Sequence, residues 1–207
     1  MGRHKTYDRE QVLQKAMRLF WMQGFHGTST RDLAEAMGVN AYSLYAEFES
    51  KEALYEAALQ RYDDTVVTRH FGVLEAPGAG LDAVRQVVRF FGGAARDNNP
   101  KLGCLMCNAI TEHAPTEATS ARTGATYVHR LTRAFEHALS NARERGELVP
   151  ESPVAELANF LAVALIGVFV MLRAGVDPHV MHDTAEQTLA RVEGFVTPAA
   201  LPRATRP

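Results

Sequence analysis

Cysteine is scarce. There are two in 207 residues, Cys104 and Cys107, so the disulfide framework of a small secreted scaffold is excluded. An excess of one charge is missing too. The formal net charge is -2, so any contact with a polyanion must come from a local basic patch, with specificity set by geometry. The first eight residues, Met1 to Asp8, carry no apolar core, and the expectation is a chain without a secretory signal. Long hydrophobic runs are few. The most apolar, Leu157 to Leu172, contains Asn159 and is hemmed by Glu156 and Arg173; it falls short of the about 20 residues of a membrane span. It reads as a buried helix of a cytoplasmic protein with no membrane partner. Strand patterning is also lacking, since no stretch alternates apolar and polar residues with β-branched enrichment. What remains is an all-α chain of ordinary globular composition, 46% apolar and 22% charged, long enough for one large core or two small ones.

Helical spacing runs through almost the whole chain. Val12, Ala16, Leu19 and Phe20 share a face that Asp8 can cap and Gly24 can end. Thr28 or Ser29 caps a short second helix bearing Leu33, Ala34 and Met37, ended by Gly38. Asn40 caps a third with Leu44 and Tyr45, and Ser50 a fourth with Ala53, Leu54, Ala57 and Ala58. The stretch from Ala76 to Gly80 is a break. Helices are expected from Leu81 to Arg96, Cys104 to Glu112, Thr116 to Arg145, Pro153 to Arg173 and Pro178 to about Val196. Ser152 with Pro153, and Asp177 with Pro178, have the cap-then-proline order of a helix start. The expected division is a DNA-binding domain over 1–62, a regulatory and dimerisation domain over 63–197, and a flexible tail over 198–207.

The segment from Thr28 to Leu54 has the parts of a helix-turn-helix: small Ala34 facing the partner helix, Gly38 for a left-handed turn, Val39 as a plug and Leu44 as an inward anchor. Asn40 at the start of the second helix, and Ala41, Tyr42 and Ser43 along it, then stand nearest a major groove. Thr28, Ser29, Thr30, Tyr45 and Lys51 have phosphate-donor chemistry at or near helix starts. Arg3 and Lys5 form a basic arm ahead of the first helix, suited to phosphates or the minor groove. One such head reads one half-site, so double-stranded DNA as partner implies a homodimer.

Residues 7 to 62 resemble the DNA-binding domain of TetR-type (tetracycline-repressor) regulators. The resemblance rests on Ala16, Leu19, Phe20, Gly24, Phe25, Thr28, Ser29, Leu33 and Ala34, then Gly38 and Val39, Leu44 and Tyr45, Phe48, Lys51, Glu52 and Leu54, in order and spacing. It implies an N-terminal three-helix DNA-binding domain, a larger helical body that binds a small-molecule effector, and a homodimer acting as a repressor on a (pseudo)palindromic operator. Phosphate roles carry over to Tyr45 and Lys51. Ala46 and Glu47 stand where many members carry histidine, and Tyr42 where many carry a small residue, so base reading differs there.

The resemblance places an effector pocket in the body, and Phe90, Phe91, Cys104, Met106, Cys107, Ile110, Tyr127, Leu131 and Phe169 are candidates to line it. The helix from 153 to 173 is apolar almost all round and needs cover on every side. With the last helix it is the expected dimer bundle, through Leu157, Leu161, Leu165, Phe169, Leu189, Val192 and Phe195. Gly103, Cys104 and Leu105 resemble the glycine-cysteine-leucine motif of one branch of the family, some of whose members respond to electrophiles or oxidants. A thiol at a helix start gains thiolate character, so a redox- or electrophile-sensing regulator working through Cys104 and Cys107 is an alternative, beside two small buried hydrophobes. A Cys-x-x-Cys oxidoreductase would need a preceding strand, and a purely structural adaptor leaves the Tyr45, Phe48 and Lys51 register unexplained. Two cysteines and His113 lack a fourth metal ligand. The expectation is a regulator that is not an enzyme, with no cofactor and no metal.

Overall fold

The computed structural model describes residues 8–93, 102–113 and 118–200. Among them every regular element is helical, apart from an isolated antiparallel bridge between Leu148 and Val196. The described residues fall into two compact units. The first holds those up to Arg69 together with those from Cys104 to Gly124; the second holds the rest. The first unit thus takes in a helix well beyond the 1–62 boundary expected from the sequence.

In the first unit, α1 spans Arg9–Gln23 and is capped by Asp8, whose side chain accepts from the Glu10 amide. α2 spans Thr30–Met37, α3 Ala41–Phe48 and α4 Lys51–Tyr62. The residue at each start follows capping chemistry: Ser29, Asn40 and Ser50 all turn a side-chain oxygen onto an amide of the first turn. The apolar faces of these helices meet at Phe20, whose ring lies 4.9 Å from that of Tyr55, with Leu33, Leu44 and Leu54 fully buried around it. α4 does not stop before the break at Ala76. A π-helical turn, Asp63–Val67, carries it into α5, Thr68–Glu75. There the Thr68 N–H donates to the Asp63 carbonyl, and the Thr68 hydroxyl does so too at 3.0 Å. The Thr65 hydroxyl likewise donates to Arg61 O at 2.6 Å. Threonine back-bonding of this kind competes with the α-helical ladder, which the apolar spacing does not reveal.

The second unit contains α6, Leu81–Gly93; most of α8, Ala118–Glu144; α9, Val154–Ala174; and α10, Pro178–Glu193. α6, α9 and α10 pack on one another, and Val84, Phe135, Leu139, Leu161 and Val192 are wholly inside. Arg85 on α6 forks onto both Glu193 oxygens of α10 at 2.7 and 2.8 Å. Asp177 and Pro178 open α10 as the sequence predicts. Ser152 and Pro153 do not repeat the device. Pro153 itself takes the cap position of α9 without a side-chain bond, and the Ser152 hydroxyl turns back to Val149 O at 2.6 Å. Thr197 is held by Gly146 O (2.8 Å, through its hydroxyl) and Glu147 O (3.0 Å, through its amide). Residues 201–207 of the expected tail lie outside the described residues.

α9 is long and apolar enough to cross a membrane by length and composition. One side of it, however, is buried within its own unit, through Leu157, Ala158, Leu161, Leu165 and Phe169.

Candidate nucleic-acid interface

The N-terminus of α2 is built by a reciprocal cap. The Ser29 hydroxyl oxygen accepts from Asp32 N–H at 3.1 Å, and the Asp32 carboxylate accepts from Ser29 N–H at 2.9 Å and from the Ser29 hydroxyl at 2.6 Å. The Ser29 hydroxyl, then its amide, hold the Asp32 carboxyl below its ordinary range. Asp32 was not among the residues singled out from sequence, although serine followed three residues later by an acid is a capping-box signal. Thr30, first in α2, shares a 2.8 Å hydrogen bond with the Tyr45 phenol of α3, which ties the two helices of the motif together by a polar contact.

Between α2 and α3, Gly38 is left-handed (φ 71°, ψ 29°) and donates its N–H to Ala34 and Glu35 carbonyls. A side chain there would be strained. Asn40 then accepts from Ser43 N–H at 2.7 Å. Leu44 is buried, which points the other face of α3 outward: Tyr42 is 85% exposed. After α3, Glu49 sits at φ 66° without being glycine. Ser50 N–H donates to Phe48 O at 2.7 Å across it, a γ-turn of the strained hand. This turn aims α4 so that Lys51 begins it, with the ammonium 4.2 Å from the centroid of the Phe25 ring. Three helix starts therefore carry Ser29 and Thr30, Asn40, and Lys51. Each start presents amides and the positive end of a helix dipole, the equipment for binding phosphate oxygens.

Thr28 is a correction. It is 0% exposed, and its hydroxyl donates to Gly24 O at 2.6 Å. It is a buried strut of the α1–α2 turn, with no hydroxyl to offer a phosphate. Of the other sequence candidates, Ser29, Asn40 and Tyr42 are exposed, and Thr30, Ser43, Tyr45 and Lys51 are half-buried with an outward edge. Arg3, Lys5 and the Ala41 side chain lie outside the described residues.

Comparison with known proteins decides what this architecture is. Residues 12–58 match the model of the bacterial regulatory proteins of the tetR family, and residues 80–189 that of the tetracyclin repressor-like C-terminal domain. The chain belongs to the tetR family. It is 33% identical over 191 residues to the HTH-type transcriptional repressor ComR of Escherichia coli, covering 91% of this chain and 90% of that protein. It is 29% identical to the uncharacterized HTH-type regulator YezE of Bacillus subtilis, covering 92% of this chain and 98% of that one. Among solved structures, a cysteine mutant of the TetR family regulator CifR, complexed with 26-base-pair double-strand operator DNA, aligns with a TM-score of 0.80 at 28% identity over 91% of this chain and 98% of that chain.

The body of this tetR-family chain departs from the sequence expectation in two places. The residues expected at a dimer interface are mostly spent inside the protomer: Leu157, Leu161, Leu165, Phe169, Leu189 and Val192 are all buried, and Phe195 is half-buried under Arg191. Periodicity shows that α9 is apolar all round, but it does not show which side its own chain takes. The outward side is Phe160, Val163, Val170 and Met171, with Val163 69% exposed. The nine pocket candidates, in turn, are divided between the units. Cys104, Met106 and Cys107 are buried in the first, where Ile110 packs on Gly124. In the second, Phe91 meets Phe169 edge-on at 4.8 Å, Phe90 is exposed and stacks on His70, and Tyr127 and Leu131 are buried on α8.

Cys104 immediately precedes α7, Leu105–His113, and Cys107 lies in its first turn; they form no disulfide. Burial, with the neighbouring Cys104 thiol, pushes the Tyr62 phenol well above its ordinary range. Both cysteines have the environment of packing thiols. Among the described residues no group of three or more His, Cys, Asp or Glu side chains gathers as a metal site.

Proposed function

We propose that the protein is a transcriptional repressor that binds a (pseudo)palindromic operator in double-stranded DNA as a homodimer, and that a small molecule bound in its helical body changes that affinity. It acts where the DNA is, in the cytoplasm. The observation that carries the reading is the set of three capped helix starts, with Tyr42 exposed in the first turn of α3, ahead of Tyr45 on the same helix and Lys51 at the start of α4. Phosphate contacts at the starts position α3, and α3 presents side chains to base edges. The family match and the operator complex of the similar regulator CifR support it.

The dimer has a surface available. Phe160, Val163, Val170 and Met171, with Gly167 among them, recur at helical spacing on the open side of α9. A second copy of α9 and α10 would cover that stripe and form a four-helix contact. Two heads then read half-sites one helical turn apart or a multiple of it. An effector that prefers one head spacing over another shifts DNA affinity by its differential binding to the two.

The test is a footprint on the intergenic DNA upstream of the protein's own gene, titrated with salt. A protected, roughly symmetric site with a steep salt dependence is expected. Lys51→Ala should weaken binding and lower the salt slope by about one. If neither Tyr45→Ala nor Lys51→Ala changes affinity for that site, the docking geometry is wrong.

A further inference from the structure

α7 belongs to the stretch matched by the C-terminal domain model, yet it packs on α1 and α4 within the first unit. Near its end, Glu112 spreads its carboxylate against the exit of α1. One oxygen accepts from Phe25 N–H at 3.0 Å, the other from His26 N–H at 2.8 Å. Gly24 makes this approach possible. A Cβ there would stand 2.8 and 2.9 Å from the two carboxylate oxygens, and its φ of +77° already disfavours a side chain. The same turn supports the head. Gly24 O takes the buried Thr28 hydroxyl, Phe25 O takes Thr28 N–H at 3.2 Å, and the next residue, Ser29, caps α2. The face of the Phe25 ring carries the Lys51 ammonium.

We infer that Glu112 is a positioning residue for DNA binding: its carboxylate clamps the α1–α2 turn and thereby places both the start of α2 and Lys51 for their phosphates. Two charge-assisted bonds from one side chain to consecutive amides fix the orientation of both peptide groups. The clamp joins a residue of the C-terminal domain stretch to residues of the N-terminal one, so the reading head is held by α7 as well as by its own core. The inference rests on the DNA-binding reading above.

The experiment compares full-length wild type, Glu112→Gln and Glu112→Asp on a duplex carrying the DNA upstream of the gene. Amide hydrogen exchange and thermal melting are measured on the same samples. The two possible roles of the carboxylate predict opposite signs. As a mere negative charge near DNA, its removal in Glu112→Gln would tighten binding. As a clamp, its loss should speed exchange at Phe25 and His26 at least tenfold and weaken binding about tenfold, with the salt slope unchanged because no phosphate-binding cation is lost. Glu112→Asp keeps the charge but is one methylene shorter, and it should show the same loss. Should Glu112→Gln melt below the assay temperature, Glu112→Asp decides alone by the same two readouts. Wild-type or tighter affinity alongside faster exchange overturns the inference, and so does unchanged exchange. Absence of any footprint for the wild type overturns the DNA-binding reading itself, whereas a footprint that Glu112→Gln leaves intact overturns only the clamp.

Discussion

At the scale of single residues, the site is a set of hydroxyls with more than one duty. The Tyr45 phenol is bonded to Thr30 at 2.8 Å and is also the group expected at a phosphate. Two substitutions separate the duties. Tyr45→Phe should lower stability by about 1 kcal/mol, the net worth of one partly buried hydrogen bond, and should weaken operator binding as well. Thr30→Val should cost similar stability in a melt but less affinity, since the phenol remains to meet the phosphate. Equal affinity losses would mean that Tyr45 only braces the motif. Glu49 offers a converse case. Its φ of 66° stores strain of about 1–3 kcal/mol, while glycine costs about 0.5–1 kcal/mol of unfolded-chain entropy. Glu49→Gly should therefore raise stability by about 1 kcal/mol, where glycine usually lowers it; a lower melting temperature would show that the turn is unstrained. The two thiols separate the sensor alternative from packing. Buried as they are, Cys104 and Cys107 should react with an aromatic disulfide reagent only on unfolding, and rapid reaction of the folded protein would favour a thiol switch.

Elements are where sequence and structure agree most closely, and the reason is local. Asp8, Ser29, Asn40, Ser50 and Asp177 each cap the helix they precede, because a cap is a bond between residues two or three apart that a spacing rule can see. The features that escaped depend on partners far along the chain or on choices the pattern leaves open. Glu112 reaches Phe25 from 87 residues away, and nothing near it in sequence marks it. The π-turn at Asp63–Val67 lies within an otherwise helical pattern, where the Thr65 and Thr68 hydroxyls bond back to carbonyls, and the spacing of apolar residues shows no break there. Thr28 and Ser29 are both good cap residues; burial of Thr28 under the α1–α2 turn selects Ser29. The capping box makes a pH prediction. Folding lowers the Asp32 pKa, so its contribution to stability is present above about pH 4, the unfolded aspartate value, and is lost as pH falls through the depressed folded value. Asp32→Asn should therefore melt below the wild type at neutral pH, with the gap closing in an acid titration. A gap that persists below the folded value would assign the effect to packing.

At the scale of the molecule, function depends on a second copy. The single head calls for a dimer, because it reads only one half-site. The helix proposed to supply it, α9, is legible in the sequence as an apolar cylinder; which side of the cylinder is free is not. The inward positions Leu157, Leu161 and Leu165 are consumed by the protomer, leaving the stripe around Val163. The consequence is testable without knowing the effector. Val163→Asp puts a charge at the most exposed apolar position of the stripe, where an unpaired buried charge opposes association. Because Val163 is exposed in the protomer, the folded monomer should keep its helical content and melt within about 0.5 kcal/mol of the wild-type protomer. Sedimentation should then show one chain where the wild type shows two. Operator affinity should fall by about 10²–10⁴, the factor by which tethering two heads raises the effective concentration of the second. Leu161→Ala makes the opposite split. It removes a side chain buried within the protomer, so it should cost about 2–5 kcal/mol of stability while the folded fraction still associates. A dimeric Val163→Asp with full operator affinity would move the interface off α9 and restore the question of what covers its outward face.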